Sequence, residues 1–185
     1  TFTDSLRATE WKAESYPSDP VNITIDTSQV LNRVLPTHFS NNANGWMGFD
    51  WKKPGSRALE NWKKSNIHFM RLPGGNWTSE YFWSGEVPFP VKEEYVDPKI
   101  DNWIMKNKDF MQIADSLDAE PVICVNYSLA RYADVENPVQ KAAQYAAEWV
   151  RKVNIEMEMD VKYWEVGNED YGPWQAGWSV DDDTI

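Results

Sequence analysis

Four short apolar runs, RVLPTHF (33–39), IHFMRL (67–72), PVICV (121–125) and VKYWEV (161–166), are separated by stretches whose apolar residues recur at helical spacing. Strand and helix therefore alternate, which predicts parallel strands joined by crossover helices. Parallel strands point the same way, so whatever follows them gathers at one end of the sheet. From the second run onward that end is polar: Arg71 and Asn76, then Asn126, then Asn168 and Glu169. In an α/β barrel the carboxyl ends of the strands form the functional mouth. A doubly wound open sheet is the rival, but it calls for a glycine-rich phosphate turn after its first strand. The nearest candidate, PGGN at 73–76, lacks the spacing.

The intervening segments fit this plan. Ser56 is placed to cap a helix over RALENWKKS (57–65), with Leu59 and Trp62 on one face. Pro73 and the pair Gly74 and Gly75 stop the second strand, and a long aromatic loop spans about 76–98. Asp101 caps a helix in which Phe110, Ile113, Ala114 and Leu117 share a face. Asn137 and Pro138 start the third helix, faced by Ala142, Ala146, Trp149, Val150 and Val153. Ahead of the alternating region, 1–20 reads as a polar arm. VNITIDT (21–27) has the period of a half-buried strand, and SNNANGWMG (40–48) reads as a loop.

Composition narrows the partners. The 29 Asp and Glu against 18 Lys and Arg leave a formal charge of −11, a field that repels phosphate backbones and anionic lipid. No apolar run approaches the roughly 20 residues a membrane span needs. Eleven tryptophans and eight tyrosines can build a core, and their flat rings also suit the apolar faces of sugars. The single cysteine, Cys124, lies in an apolar run and reads as a buried thiol. His38 and His68 read as packing or surface histidines, with no third ligand at metal spacing, so no metal or other cofactor is expected.

Two motifs are specific enough to name a family. RLPGGNW (71–77) and YWEVGNEDYGPWQ (163–175) resemble the α-L-arabinofuranosidases of glycoside hydrolase family 51 and, more broadly, the clan A (β/α)8 glycosidases. The resemblance implies an α/β fold of the (β/α)8 TIM-barrel type, of which this chain supplies about the first four strands, a half-barrel. It implies that Glu169 is the general acid/base of a retaining hydrolase and that Asn168 bonds the sugar 2-hydroxyl. Asn76 and Asn126 would belong to the sugar pocket, Arg71 would support the nucleophile, and Trp174 would form a wall. In the loop after the first strand, where the family carries a glutamate that holds the arabinofuranose ring, this sequence has Asn44. That departure leaves xylosidase, glucuronidase or endoglucanase activity open beside arabinofuranosidase.

The chemistry asks for the same residue types. An acetal leaves readily only when its oxygen is protonated, so a carboxyl group must be kept neutral and then serve as base; Tyr171 and Trp174 stand beside Glu169 as apolar walls. A contact to the 2-hydroxyl strengthens as the ring flattens, which makes Asn168 selective for the transition state. For each residue there is a plainer reading. Glu169 could be a solvated loop charge, Arg71 the partner of a core-edge carboxylate, and Asn76 a turn cap, while Glu165 and Asp170 read as structural or solvent-facing.

A barrel normally needs about 250 residues, and 185 residues yield only four barrel strands. Residues 1–33 are expected to be an arm and a strand of an accessory β-sandwich, with 34–185 the N-terminal half of the barrel. The nucleophile, from the end of a seventh strand in this clan, falls outside the chain. Two open sheet edges predict a need for a second chain or a C-terminal half, and no hydrolysis by the chain alone. A non-catalytic carbohydrate-binding half-barrel is the other outcome. A polysaccharide substrate suits a secreted or periplasmic protein, whereas the free cysteine equally suits cytoplasmic breakdown of imported oligosaccharides.

Overall fold

The computed structural model describes residues 22–43, 57–95 and 105–178. The arm at 1–20, the caps Ser56 and Asp101, and Asn44 lie outside the described residues. The chain divides into two compact units, Thr1–Arg33 and Val34–Ile185. In the first, the expected strand at 21–27 is not formed among the described residues: Ile23 and Ile25 are 82% and 80% exposed. Alternation makes a strand only where a partner takes up its backbone hydrogen bonds, and none of the described residues does so. Instead Asp26 accepts hydrogen bonds from the Ser28 amide and hydroxyl, 2.9 and 2.6 Å, which hold its carboxyl below the usual range.

The second unit holds a four-stranded parallel sheet, β1 (Ser40–Asn42), β2 (Phe69–Leu72), β3 (Glu120–Val125) and β4 (Tyr163–Val166), in the spatial order of the sequence. That order carries no reversal of direction across the sheet, as a barrel requires and a doubly wound sheet does not. The first strand lies later than its apolar run suggests. Pro36–His38 forms a 3-10 turn, in which the Phe39 amide bonds the Pro36 carbonyl at 2.9 Å, and the polar Ser40–Asn42 then pairs with Phe69–Arg71. No hydrophobic pattern marks these three residues; the free edge of β2 makes them a strand.

The helices are α1 (Ala58–Lys64), α2 (Asn107–Leu117), α3 (Leu129–Tyr132) and α4 (Pro138–Arg151), the last running on as a π-helical turn, Lys152–Glu156. The register aligns Leu72, Ile123 and Trp164 across three strands, and this face of the sheet is the covered one. Met70, Leu72 and Ile123 have no exposed surface and cluster with Trp62, Phe110, Ile113, Trp149 and Val153. The predicted face of α4 is corrected at one position. Val150 is exposed, and Tyr145 is buried in its place because it packs with Leu129 and Ala142 in a second cluster.

The described part of the aromatic loop is fixed to α4. The Trp83 ring stacks on Tyr145 at 5.3 Å and its indole N–H donates to the Tyr145 carbonyl at 3.1 Å. At the other end of α4, Asn154 bonds both the amide and the carbonyl of Val161, 2.7 and 2.9 Å, and leads the chain into β4.

The opposite face of the sheet carries Phe69, Arg71, Val122, Tyr163 and Glu165, all of them at least partly exposed. Phe69 and Tyr163 meet edge to face across β3 at 5.1 Å. Trp149 is the main load on the covered face: it meets Tyr81, Trp83 and Trp164, and its indole N–H donates to Asn107 at 3.0 Å. Trp149→Ala is expected to cost about 3–5 kcal/mol in urea unfolding. Trp149→Phe should cost less, because most of the ring contact survives.

Candidate functional site

Two strand ends build the site. Arg71, near the end of β2, donates from Nε to Glu165 Oε2 at 2.5 Å and from Nη2 to Asn168 Oδ1 at 3.2 Å. Arg71 and Glu165 share the open face, so the ion pair spans β3 from β2 to β4. The second contact sets the Asn168 amide: its oxygen is taken by Arg71, and its nitrogen is buried with no protein partner. A hollow of about 330 Å³ adjoins the pair, lined by Ser40, Asn42, Phe69, Arg71, Val122 and Glu165. A larger one of about 690 Å³ lies elsewhere, between Tyr81–Glu86, the start of α2 and Lys152. It holds none of the strand-end groups, so we place the site at the strand ends, where the polar chemistry converges.

Beyond β4 the chain turns sharply. Gly167 and Glu169 both have positive φ, 71° and 52°, a conformation that glycine accepts and glutamate adopts only under constraint. The turn presents Glu169 to solvent, where Tyr171 OH and Trp174 Nε1 donate to its two carboxylate oxygens at 3.3 and 3.2 Å. The expected apolar walls thus meet Glu169 through their polar hydrogens. Trp174 is 57% exposed and meets Tyr171 edge to face at 6.0 Å. The nearby Glu169 charge pushes the Tyr171 phenol above its ordinary value.

Asn76 follows Gly75, whose φ is 64°, and its side-chain oxygen accepts from Gln175 Nε2 at 2.6 Å. Gln175 is buried and also accepts from Ser79 Oγ at 3.3 Å, which joins the loop after β4 to the loop after β2. Asn126 belongs to a different network. Its Oδ1 accepts the Leu129 amide at 3.1 Å and so starts α3, a helix with no counterpart in the sequence reading. Its Nδ2 donates to Tyr95 OH at 2.9 Å and the Tyr81 carbonyl at 3.3 Å, while Tyr95 OH donates to the Ser79 carbonyl. Burial drives the Tyr95 phenol well above its ordinary range, so it stays a donor.

The structure therefore brings Arg71 together with Asn168, sets the adjoining Glu169 against Tyr171 and Trp174, and joins Asn76 with Gln175 and Ser79. It holds Asn126 in a buried bracket beneath the aromatic loop, and Asn44 is outside the described residues. Glu165 and Gln175 were not among the expected site residues. Gln175 stood within the GPWQ motif, and Glu165 has the parity on β4 that places it on the face of Arg71.

Cys124 sits under this turn, fully buried, its thiol donating to the Gly167 carbonyl at 2.8 Å. Burial pushes the thiol from 9.0 up to about 11, against the opposing charge of Arg71. A group whose pKa is raised by folding stabilises the fold below its unfolded value, and that contribution is lost as pH rises through the folded value. The stability difference between the parent chain and Cys124→Ala should therefore shrink from 9.0 toward about 11 in urea titrations. Iodoacetamide should leave the folded thiol unmodified at neutral pH and label it once the chain is unfolded.

Among known proteins, the probable α-L-arabinofuranosidase C of Aspergillus fumigatus is 32% identical over 129 residues, 64% of this chain and 25% of that protein. The α-L-arabinofuranosidase C of Emericella nidulans is 30% identical over 131 residues. An intracellular exo-α-(1→5)-L-arabinofuranosidase of Acetivibrio thermocellus is 27% identical over 129. The chain spans about a quarter of the length of the curated relatives it matches. No family model matches it. Two solved structures superpose on 77% of the chain, each with a TM-score of 0.52 and 21% identity. They are a family 51 α-L-arabinofuranosidase from Bifidobacterium longum and the thermostable family 51 enzyme from Thermotoga petrophila. These likenesses give the four parallel strands their place as part of a (β/α)8 barrel. The chain thus resembles α-L-arabinofuranosidases in sequence and family 51 enzymes in fold, and its four parallel strands match about the first four of such a barrel.

Proposed function

We propose that this chain carries the acid/base half of a retaining glycoside hydrolase site, most like that of an α-L-arabinofuranosidase, with Glu169 as general acid/base. The observation that carries the reading is the Asn168–Glu169 turn at the mouth of β4, where Arg71 fixes the Asn168 oxygen and leaves the amide nitrogen free to donate. A furanoside seated there would receive that N–H on its 2-hydroxyl. Glu169 would protonate the departing oxygen and, in the second half-reaction, deprotonate the water that releases the sugar. Trp174 would offer its exposed face to the ring, and Asn76, held by Gln175, would bond a further hydroxyl.

Retention needs a second carboxylate about 5–5.5 Å away. Glu165 is engaged by Arg71, so the nucleophile is assigned to a C-terminal half or second chain that completes the barrel and covers the open face. In the same reading, 34–185 is the N-terminal half of the catalytic barrel and 1–33 is an arm with a strand for an accessory sandwich. No helix among the described residues is long and apolar enough to cross a membrane.

Hydrolysis of an aryl α-L-arabinofuranoside tests the reading. The chain alone should give no turnover, and mixing it with a complementary half-barrel from a relative should restore it. In the mixture Glu169→Ala should lower kcat by about 10²–10⁴-fold, and azide, which attacks without a base, should recover part of it. Full activity in Glu169→Ala would end the acid/base assignment. Sugar binding with no turnover in the mixture would leave a carbohydrate-binding half-barrel instead.

A further inference from the structure

The loop that presents Glu169 contains a carboxyl group that the mechanism above does not use. Asp170 follows Glu169 directly, yet its side chain turns inward. A methyl group built on Gly167 would collide with Asp170 Oδ2 and lie 3.0 Å from Tyr127 Cβ. One built on Gly177 would collide with Asp170 Oδ1 and lie 3.0 Å from Ser128 Oγ. The carboxyl group is therefore wedged between the turn after β4, the segment at Gly177 and the loop after β3. Two glycines leave room for it.

The wedge meets two separate needs. Gly167 and Glu169 flank Asn168 in left-handed backbone, and a non-glycine residue stays there only when its surroundings over-determine it. The backbone N–H of Asn168 lies near enough to the Asp170 carboxyl to favour its charged form, which sets the middle of that turn beside the wedge. Asp170 Oδ1 and the fully buried Ser128 Oγ are each without a hydrogen-bond partner, and both lie within 3.0 Å of the point a methyl group on Gly177 would occupy. A hydroxyl can rotate to donate to a carboxylate, so Ser128 is the group on the β3 side positioned to hold Asp170.

We infer that Asp170 is a positioning residue: it clamps the Asn168–Glu169 turn against the loop after β3 and so holds the Glu169 carboxylate against Trp174. The value of this clamp for catalysis rests on the acid/base reading of Glu169; the clamp itself does not. Burial raises the Asp170 carboxyl above its ordinary value, with the Asn168 amide opposing, as expected for a group pressed between two backbones.

The indole N–H of Trp174 donates to Glu169 and so reports on the position of that carboxylate. With the 185-residue chain labelled with ¹⁵N at its tryptophans and the Trp174 peak assigned by Trp174→Phe, the indole cross-peak is followed across the carboxylate pH range. In the parent chain it should shift as the pH falls through that range. Asp170→Ala should abolish or sharply reduce that shift, and Asp170→Asn, which keeps shape and an acceptor, should retain it. Gly177→Ala provides an independent approach, since its added methyl displaces the wedge while Asp170 stays intact. It should behave like Asp170→Ala. The Trp149 indole, held by Asn107, is the check that the core is intact; should Asp170→Ala fail it, Gly177→Ala and Asp170→Asn decide.

In the reconstituted barrel, Asp170→Ala and Gly177→Ala should lower kcat by roughly 10- to 100-fold at nearly constant KM, with Asp170→Asn close to the parent. A Trp174 titration unchanged by Asp170→Ala or by Gly177→Ala, or one absent from the parent chain, overturns the clamp. Turnover indifferent to Glu169→Ala would remove the acid/base reading alone and leave the indole measurement to decide the clamp.

Discussion

Leu72, Ile123 and Trp164 stand in one row across three parallel strands, and the first two are fully buried against Trp149 and the helices. Apolar burial stabilises this row, and parallel pairing passes its register to the residues on either side. A shift of β4 by one residue would reverse its faces and separate Glu165 from Arg71. The ion pair on the open face and the turn that begins at Gly167 thus depend on apolar packing on the other side of the sheet.

The site built on that register is held mostly by amides. Arg71 orients Asn168, Gln175 orients Asn76, and Asn126 joins Tyr81, Tyr95 and α3 into one bracket. Each of these amides is fixed by partners on another element, so the loops after β2, β3 and β4 position one another. Asn168 differs in that its nitrogen has no protein partner, and a buried donor left so has a cost that a ligand hydroxyl would relieve. The open face below, with its Phe69–Tyr163 contact and the Arg71–Glu165 pair, is where the remainder of a barrel would pack in the reading proposed here.

Much of the fold was legible because its elements carry strong local signals. The stop at Pro73, the start at Asn137 and Pro138, and the spacing of Phe110, Ile113 and Ala114 each placed an element close to where it forms. The first strand was misplaced because Ser40–Asn42 has no apolar pattern and owes its form to β2. The stretch at 21–27 has the pattern without a pairing partner among the described residues, and it stays unpaired. Val150 carried the expected period but faces solvent, since Tyr145 reaches Leu129 and Trp83 better.

By itself the sequence determined the alternation of strand and helix, the polar character of the strand ends and the motif that places Asn168 beside Glu169, because these depend on neighbours in the chain. Only the tertiary structure decided which polar groups face one another. Arg71 meets Glu165 and Asn168 more than ninety positions away, Gln175 reaches back to Asn76, and Asp170 fills the space left by two glycines. Such pairings follow from strand register and loop closure, which are set by packing over the whole sheet and leave no periodic mark in the chain.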